Sequence, residues 1–320
     1  MTRPTALLSV WDKTGIIDFA RTLVNEFGYD LIASGGPCRE IAGAGIPVRD
    51  VAEFVGEAIL GHRVVTLSRE VYAMLLARAI DEDEEELERL GLPRIDLVYV
   101  SMYPLEAKVA EPGVTPAQAI ESTDIGGPTM LRGGGKGGRV VICDPADREP
   151  TLDWIRDGKP DEVAFVRRLM AKAEGVVSRY GLISARFHSD GAIDGAVGFP
   201  TDVVVRYGEN DWQTPARMHT LRTDDPLALD HFRPVGVREL SFTSWTDIDR
   251  VLQTMTHIAA GMDRNMGMVP LIAAGVKHGN PCGAAVGHDP HEVLRAMIEG
   301  DPTAIFGGVI MTNFPIDTEG

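Results

Sequence analysis

Two short apolar runs, each followed by a small polar turn and a helix, constrain this chain more than any other feature. Ala6-Leu-Leu-Ser-Val10 reads as a buried strand, followed by the polar turn Trp11-Asp12-Lys13-Thr14-Gly15 and helical periodicity over residues 16–27. Residues 30–33 repeat the pattern, with a tight Ser34-Gly35-Gly36 turn and a helix over residues 37–44. Short apolar strands alternating with amphipathic helices build a parallel α/β sheet. Pro37 suits the first helical turn, where its missing N–H costs nothing. The bare amides of Ser34, Gly35 and Gly36 at a helix N-terminus suit an anion. A Ser-Gly-Gly turn by itself is more often an ordinary turn.

The same alternation continues. A strand is expected over residues 94–100, ending in Ser101-Met102-Tyr103-Pro104. Thr115 is a candidate N-cap for a following helix. Thr123 to Thr129 begins another helix and leads into a glycine run at 133–138, and a strand at 140–143 completes the first core. Amphipathic helices are read over residues 151–180. The acidic run Asp81 to Glu86 reads as a solvated helix face or loop. Residues 187–198, rich in Gly and Asp, read as a linker. Domains are therefore expected at 1–190 and 200–320.

The second block has a strand beginning at Asp202, a helix over residues 247–262, and the apolar run Leu271 to Val276. That run ends in Lys277-His278-Gly279-Asn280-Pro281-Cys282-Gly283, read as a glycine- and proline-framed turn. Ligands of open α/β sheets gather where strands end, so chemistry is expected here. An adjacent ammonium favours the neutral, proton-accepting form of an imidazole. The alternative is a solvent-facing Lys277 and a His278 that only caps the strand. A helix follows at 290–299, then a strand-like run to Met311. The stop nine residues later reads as an incomplete fold that pairs with something.

Composition narrows the function. The 320 residues carry 47 acids against 31 bases, a formal charge of -16, which argues against a nucleic-acid or anionic-membrane surface. No apolar stretch approaches the roughly 20 residues of a membrane span, and residues 1–5 lead into the first strand without reading as a signal region. Cys38, Cys143 and Cys282 are too scattered for a disulfide framework or zinc ribbon. A reduced, cytoplasmic protein is expected.

Several motifs, taken together and in order, resemble the bifunctional purine-biosynthesis enzymes with AICAR transformylase and IMP cyclohydrolase activities. They are Ser9-Val-Trp-Asp-Lys-Thr-Gly15, Ser34-Gly35-Gly36, Arg63-Val-Val-Thr66, Met102-Tyr103-Pro104 and Pro112-Gly-Val-Thr115 in the first part of the chain. Asp124-Ile-Gly-Gly-Pro-Thr-Met-Leu-Arg132, Arg206-Tyr-Gly-Glu-Asn210, Lys277-His-Gly-Asn-Pro-Cys-Gly283 and Phe306-Gly-Gly308 follow. The resemblance implies a methylglyoxal-synthase-like parallel α/β domain for the cyclohydrolase. After it would come a partial cytidine-deaminase-like α/β transformylase domain, the first of two related halves. It also implies 10-formyltetrahydrofolate as co-substrate, no metal, and a ribotide as small-molecule substrate. Expected partners are a second copy of the chain, a chain supplying the C-terminal half, or both.

By that resemblance His278 would take the amine proton of the substrate, Lys277 would stabilise charge and help protonate the departing folate nitrogen, and Asn280 would orient an amide or carbonyl. Arg206 and Tyr207 look like binders of the ribotide phosphate. Tyr103, Asp124 and Lys136 match the cyclohydrolase's acid–base positions. Lys13, Ser34, Gly35, Gly36, Arg63, Thr66, Gly126 and Gly127 match substrate contacts.

The sequence also departs from the family. The lysine of its Arg-Val-Lys-Thr motif is Val65, the serine after Ser9-Val10 is Trp11, and the threonine after Ser-Gly-Gly is Pro37. The family's His-Pro after Thr66-Leu67 is Ser68-Arg69, its Ala-Ala-Ala-Lys-Asn-His is Gly133-Gly-Gly-Lys-Gly-Gly138, and its Pro-His-Gln is Asp211-Trp212-Gln213. Removing a positioned cation commonly costs 100-fold or more in rate, so the cyclohydrolase site reads as altered. Three readings stay open: a split-enzyme subunit, an enzyme refitted for a related ribotide, and a non-catalytic ribotide-binding subunit.

Overall fold

The strand Thr5–Val10 (β1) lies at the centre of a parallel sheet and is almost wholly buried. The computed structural model describes residues 3–61, 63–193, 195–221, 225–232, 235 and 239–316. Its contacts divide the chain into two units, Met1–Val197 and Gly198–Gly320.

The first unit runs β1, α1 (Ile16–Asn25), β2 (Asp30–Ala33), α2 (Gly35–Gly43), β3 (Arg49–Asp50) and α3 (Ala52–Val55). It continues with α4 (Arg69–Leu76), α5 (Asp81–Leu90), β4 (Leu97–Ser101), α6 (Leu105–Val109), α7 (Pro116–Glu121), α8 (Gly126–Lys136), β5 (Val140–Ile142), α9 (Arg148–Arg156) and α10 (Glu162–His188). The strand order is β3-β2-β1-β4-β5, and every pairing is parallel. Successive side chains of a strand face opposite sides, which sorts them into two cores. Ala6, Leu8, Leu31, Leu97 and Tyr99 join the helical residues Ile16, Phe19 and Leu23 in one. Leu7, Ile32, Val98 and Val100 join Val71, Met74 and Met130 in the other. Both faces being covered explains the unbroken apolar runs.

Several first-unit boundaries differ from the sequence reading: β4 starts at Leu97 rather than 94, α8 at Gly126 rather than Thr123, and α10 runs on to His188, into the stretch read as a linker. The helix expected from residue 37 begins at Gly35, with Ser34 as its N-cap residue, so both glycines form the first helical turn. The glycine run 133–135 is helical and buried inside α8. Its lack of Cβ atoms lets the helix settle on the sheet: at Gly134 a Cβ would stand 2.6 Å from Val98 Cγ1.

The second unit contains β6 (Phe199–Val205), β7 (Ala216–Thr220), α11 (Phe242–Met266), β8 (Leu271–Lys277), β9 (Asn280–Gly287), α12 (Pro290–Gly300), α13 (Pro302–Ile305) and β10 (Val309–Thr312). β6 and β7 form an antiparallel pair, and a separate three-stranded sheet has the order β10-β8-β9, also antiparallel. One face of β8 packs with Val251 and Met255 of α11, the other with Val293 and Met297 of α12. α11 starts five residues before the expected residue 247, because the Ser241 hydroxyl accepts the Ser244 N–H at 3.3 Å and caps it.

The sequence reading of 279–283 as a framed turn is corrected. The turn is only His278-Gly279, with φ of 51° and 75°, and the chain reverses directly into β9. Positive φ at both residues suits a two-residue hairpin loop. Pro281, without an N–H, sits on an edge strand where the register shifts between Gly275 and Val276.

Candidate functional site

At the C-terminal edge of the first unit's sheet, three strand ends gather most of the residues expected from the sequence. Beyond β2, the N-terminus of α2 presents the amides of Gly35 and Gly36. Ser34 Oγ lies 3.0 Å from Ser9 Oγ at the adjacent strand end. The stem of Lys13 passes over Gly36, its Cε 3.2 Å from where a Cβ would be, and its ammonium stands 3.4 Å from Glu40. Backbone donors at a helix start with a cation above them form an anion cradle.

Beyond β4, Asp124 is the organising group. Its Oδ1 accepts the Gly127 N–H at 2.7 Å and its Oδ2 the Tyr103 N–H at 3.3 Å. Burial pushes the Asp124 carboxyl above its ordinary value, and the amides of Gly127, Tyr103 and Gly126 pull it part of the way back. Its own N–H donates to the Tyr180 phenol oxygen at 2.7 Å. Thr66, 8% exposed, places its Oγ1 2.8 Å from where a Cβ on Gly126 would stand, so only a glycine admits it at the start of α8.

Other expected residues fall elsewhere. Lys136 is exposed in the last turn of α8, about 15 Å along the axis from Gly126 at 1.5 Å per residue. The helix therefore carries it away from Asp124 and Tyr103. Arg63 is engaged in an exposed ion pair with Glu121. Val65, where the resemblance leads one to expect a lysine, packs against the core that contains Val71 and Met74. The Cys38 and Cys143 thiols are both pushed up by burial, Cys143 to about 12, so neither is poised as a thiolate.

In the second unit, α11 ties two expected groups together. Its first residue, Phe242, donates its N–H to the Tyr207 carbonyl at 3.0 Å. One and a half turns on, the buried Asp247 accepts the N–H groups of His278 (3.3 Å) and Gly279 (2.7 Å). The Arg206 guanidinium lies over the Tyr207 ring at 4.4 Å and donates to its hydroxyl. Lys277 does not simply face solvent: its ammonium donates to the Phe306 carbonyl at 2.6 Å. His278 and Asn280 are exposed on the hairpin, and the Asn280 amide donates to the His278 carbonyl at 3.0 Å.

Three contributors escaped the sequence reading. Ser101 accepts the Trp11 N–H through both its hydroxyl (2.8 Å) and its carbonyl (3.2 Å). Tyr180 sits 56 residues from the Asp124 it holds, and nothing local marks it. Asp247 did leave a signal, because an acid precedes Val251 and Met255 at four-residue steps on a buried helical face. Among the described residues, no group of three His, Cys, Asp or Glu is placed to hold a metal, and no helix is long and apolar enough to cross a membrane.

The chain thus joins a parallel α/β unit, with helix-start amides and a lifted carboxyl at its strand ends, to an antiparallel unit presenting a Lys-His hairpin. Comparison with known sequences supplies the family. The chain belongs to the AICARFT/IMPCHase bienzyme family, whose model matches residues 138–320, while residues 15–129 match the MGS-like domain. It is 36% identical over 320 residues to the bifunctional purine biosynthesis protein PurH of Trichormus variabilis, covering 98% of this chain and 60% of that protein. The PurH of Nostoc punctiforme is 36% identical over 327 residues, with 98% and 61% covered. The chain thus spans about 60% of the length of these curated relatives. Among solved structures, the crystal structure of ForH is similar, with a TM-score of 0.52 and 32% identity over 60% of this chain and 100% of that one.

Proposed function

We propose that the chain acts on an aminoazole-carboxamide ribotide of the purine-precursor type. The phosphate would sit over the N-terminus of α2 and the carboxamide end beside Asp124 and Tyr103. The observation that supports this most is Asp124, a half-buried carboxyl lifted above its ordinary range and held by backbone amides. Such a group suits proton exchange with a reacting amide. Ring closure joins the carboxamide nitrogen to the formamide carbon and expels that carbon's oxygen as water. One proton from the carboxamide nitrogen and one from the formamide nitrogen must reach the departing oxygen, and Asp124 with the Tyr103 phenol would relay them.

In the second unit the hairpin would serve formyl transfer from 10-formyltetrahydrofolate. The substrate's amino nitrogen attacks the formyl carbon, and the bond from that carbon to the folate nitrogen breaks. His278 would take the amine proton, Lys277 would help protonate the leaving nitrogen, Asn280 would orient a carbonyl, and Arg206 with Tyr207 would hold the phosphate. A second copy, or a chain carrying the remaining transformylase surface, would complete this site.

A second reading, a refitted enzyme for a related azole ribotide, is favoured by Val65. An apolar side chain turned into the core leaves the first site without the family's cation. Mass-spectrometric product analysis tests both. The chain is given the formylated AICAR ribotide in one reaction, and AICAR ribotide with 10-formyltetrahydrofolate in another. IMP in the first supports ring closure without the lysine. No product in either, with or without the C-terminal part of a relative added, rules out the purine activity and leaves the refitted enzyme and the non-catalytic ribotide-binding subunit.

A further inference from the structure

Trp11 occupies the family's serine position at the end of the central strand, and its surroundings fix it as a platform. It is 57% exposed and Tyr103 46%. The Trp11 backbone N–H is held by both oxygens of Ser101, and the indole meets the Tyr103 ring edge to face, centroids 5.3 Å apart at 78°. Two large aromatic side chains are therefore presented to solvent in a set orientation.

Their place in the sheet gives them a use. The order β2-β1-β4 sets Trp11 between the anion cradle beyond β2 and the Asp124–Tyr103 pair beyond β4. Strands lie roughly 4.8 Å apart, so the two groups are separated by about 10 Å. That is the reach of a sugar phosphate carrying a five-membered ring. A ligand anchored at its phosphate and reacting at its far end would lay its flat ring beside Trp11.

We propose that Trp11 is a specificity-determining residue that stacks on the azole ring of the bound ribotide, an inference that rests on the ribotide reading above. Aromatic side chains stack on any flat heteroaromatic ring without needing a particular hydrogen-bond pattern. A platform of this kind admits azoles of altered ring atoms, which fits a site that has lost its cation at position 65.

Calorimetric titration of AICAR ribotide and of ribose 5-phosphate into the full chain, Trp11→Phe and Trp11→Ser tests this. Trp11→Ser should weaken AICAR ribotide by roughly ten-fold or more, the order of a base–aromatic stack. Trp11→Phe should stay near the parent, and ribose 5-phosphate should bind all three alike. Unchanged or tighter ribotide binding by Trp11→Ser, or equal loss of both ligands, would overturn the stacking role while leaving the ribotide reading standing. A parent chain that binds neither ligand would remove both.

Discussion

Asp247 accepts the backbone N–H of Gly279 at 2.7 Å, and through it the second unit's Lys277-His278 hairpin is fixed to α11. The carboxylate is 7% exposed and also accepts the His278 N–H, so both turn amides depend on one side chain. Asp247→Ala leaves two turn donors without their partner and should cost about 1–3 kcal/mol of unfolding free energy. Asp247→Asn, with one acceptor oxygen, should fall between. Urea denaturation of the three proteins measures it, and equal midpoints would contradict the role.

Gly134→Ala should destabilise the protein although alanine is the better helix former by about 1 kcal/mol. Its Cβ would meet Val98 Cγ1 at 2.6 Å and Val141 Cγ2 at 3.1 Å. Both are β-branched strand side chains with little freedom to turn away. Overpacking costs about 1–3 kcal/mol, so a net loss of up to about 2 kcal/mol is expected from thermal or urea unfolding.

The Asp124 carboxyl is raised by burial above its ordinary value of 3.8. A raised folded value means that the protonated form is the one the fold favours. Its contribution is full below the ordinary value and is lost as pH rises through the raised one. The stability difference between wild type and Asp124→Asn should therefore move against wild type as pH climbs through the acidic range. Urea melts at a series of pH values read this directly, and a flat difference would contradict the burial argument.

Lys13 and Lys136 should separate cleanly. Lys13 lies over Gly36 in the anion cradle, whereas Lys136 is at the far end of α8. Lys13→Ala should weaken a phosphate-bearing ribotide by about ten-fold, the order of one charged hydrogen bond. Lys136→Ala should leave binding unchanged. Titration of AICAR ribotide into each variant tests the pair.

Much of this arrangement was legible in the chain itself. The buried strands show because their apolar runs have two covered faces, and the cradle shows because Ser34-Gly35-Gly36 directly follows one of them. What stayed hidden depends on long-range pairing. The hairpin at His278-Gly279 looks like a framed turn until β9 is known to pair back on β8. Lys136 looks like a site residue in a motif, yet the helical rise of α8 carries it away. Tyr180 acquires its role only when α10 folds back onto Asp124, and no local pattern announces that.

The most direct test of ribotide binding at the first unit's strand ends is hydrogen–deuterium exchange with and without AICAR ribotide. The amides at residues 34–36, 101–103 and 124–127 should gain protection together, since they bound the cradle, the aromatic pair and Asp124. Protection confined to the second unit, or absent from all three segments at saturating ribotide, would contradict it.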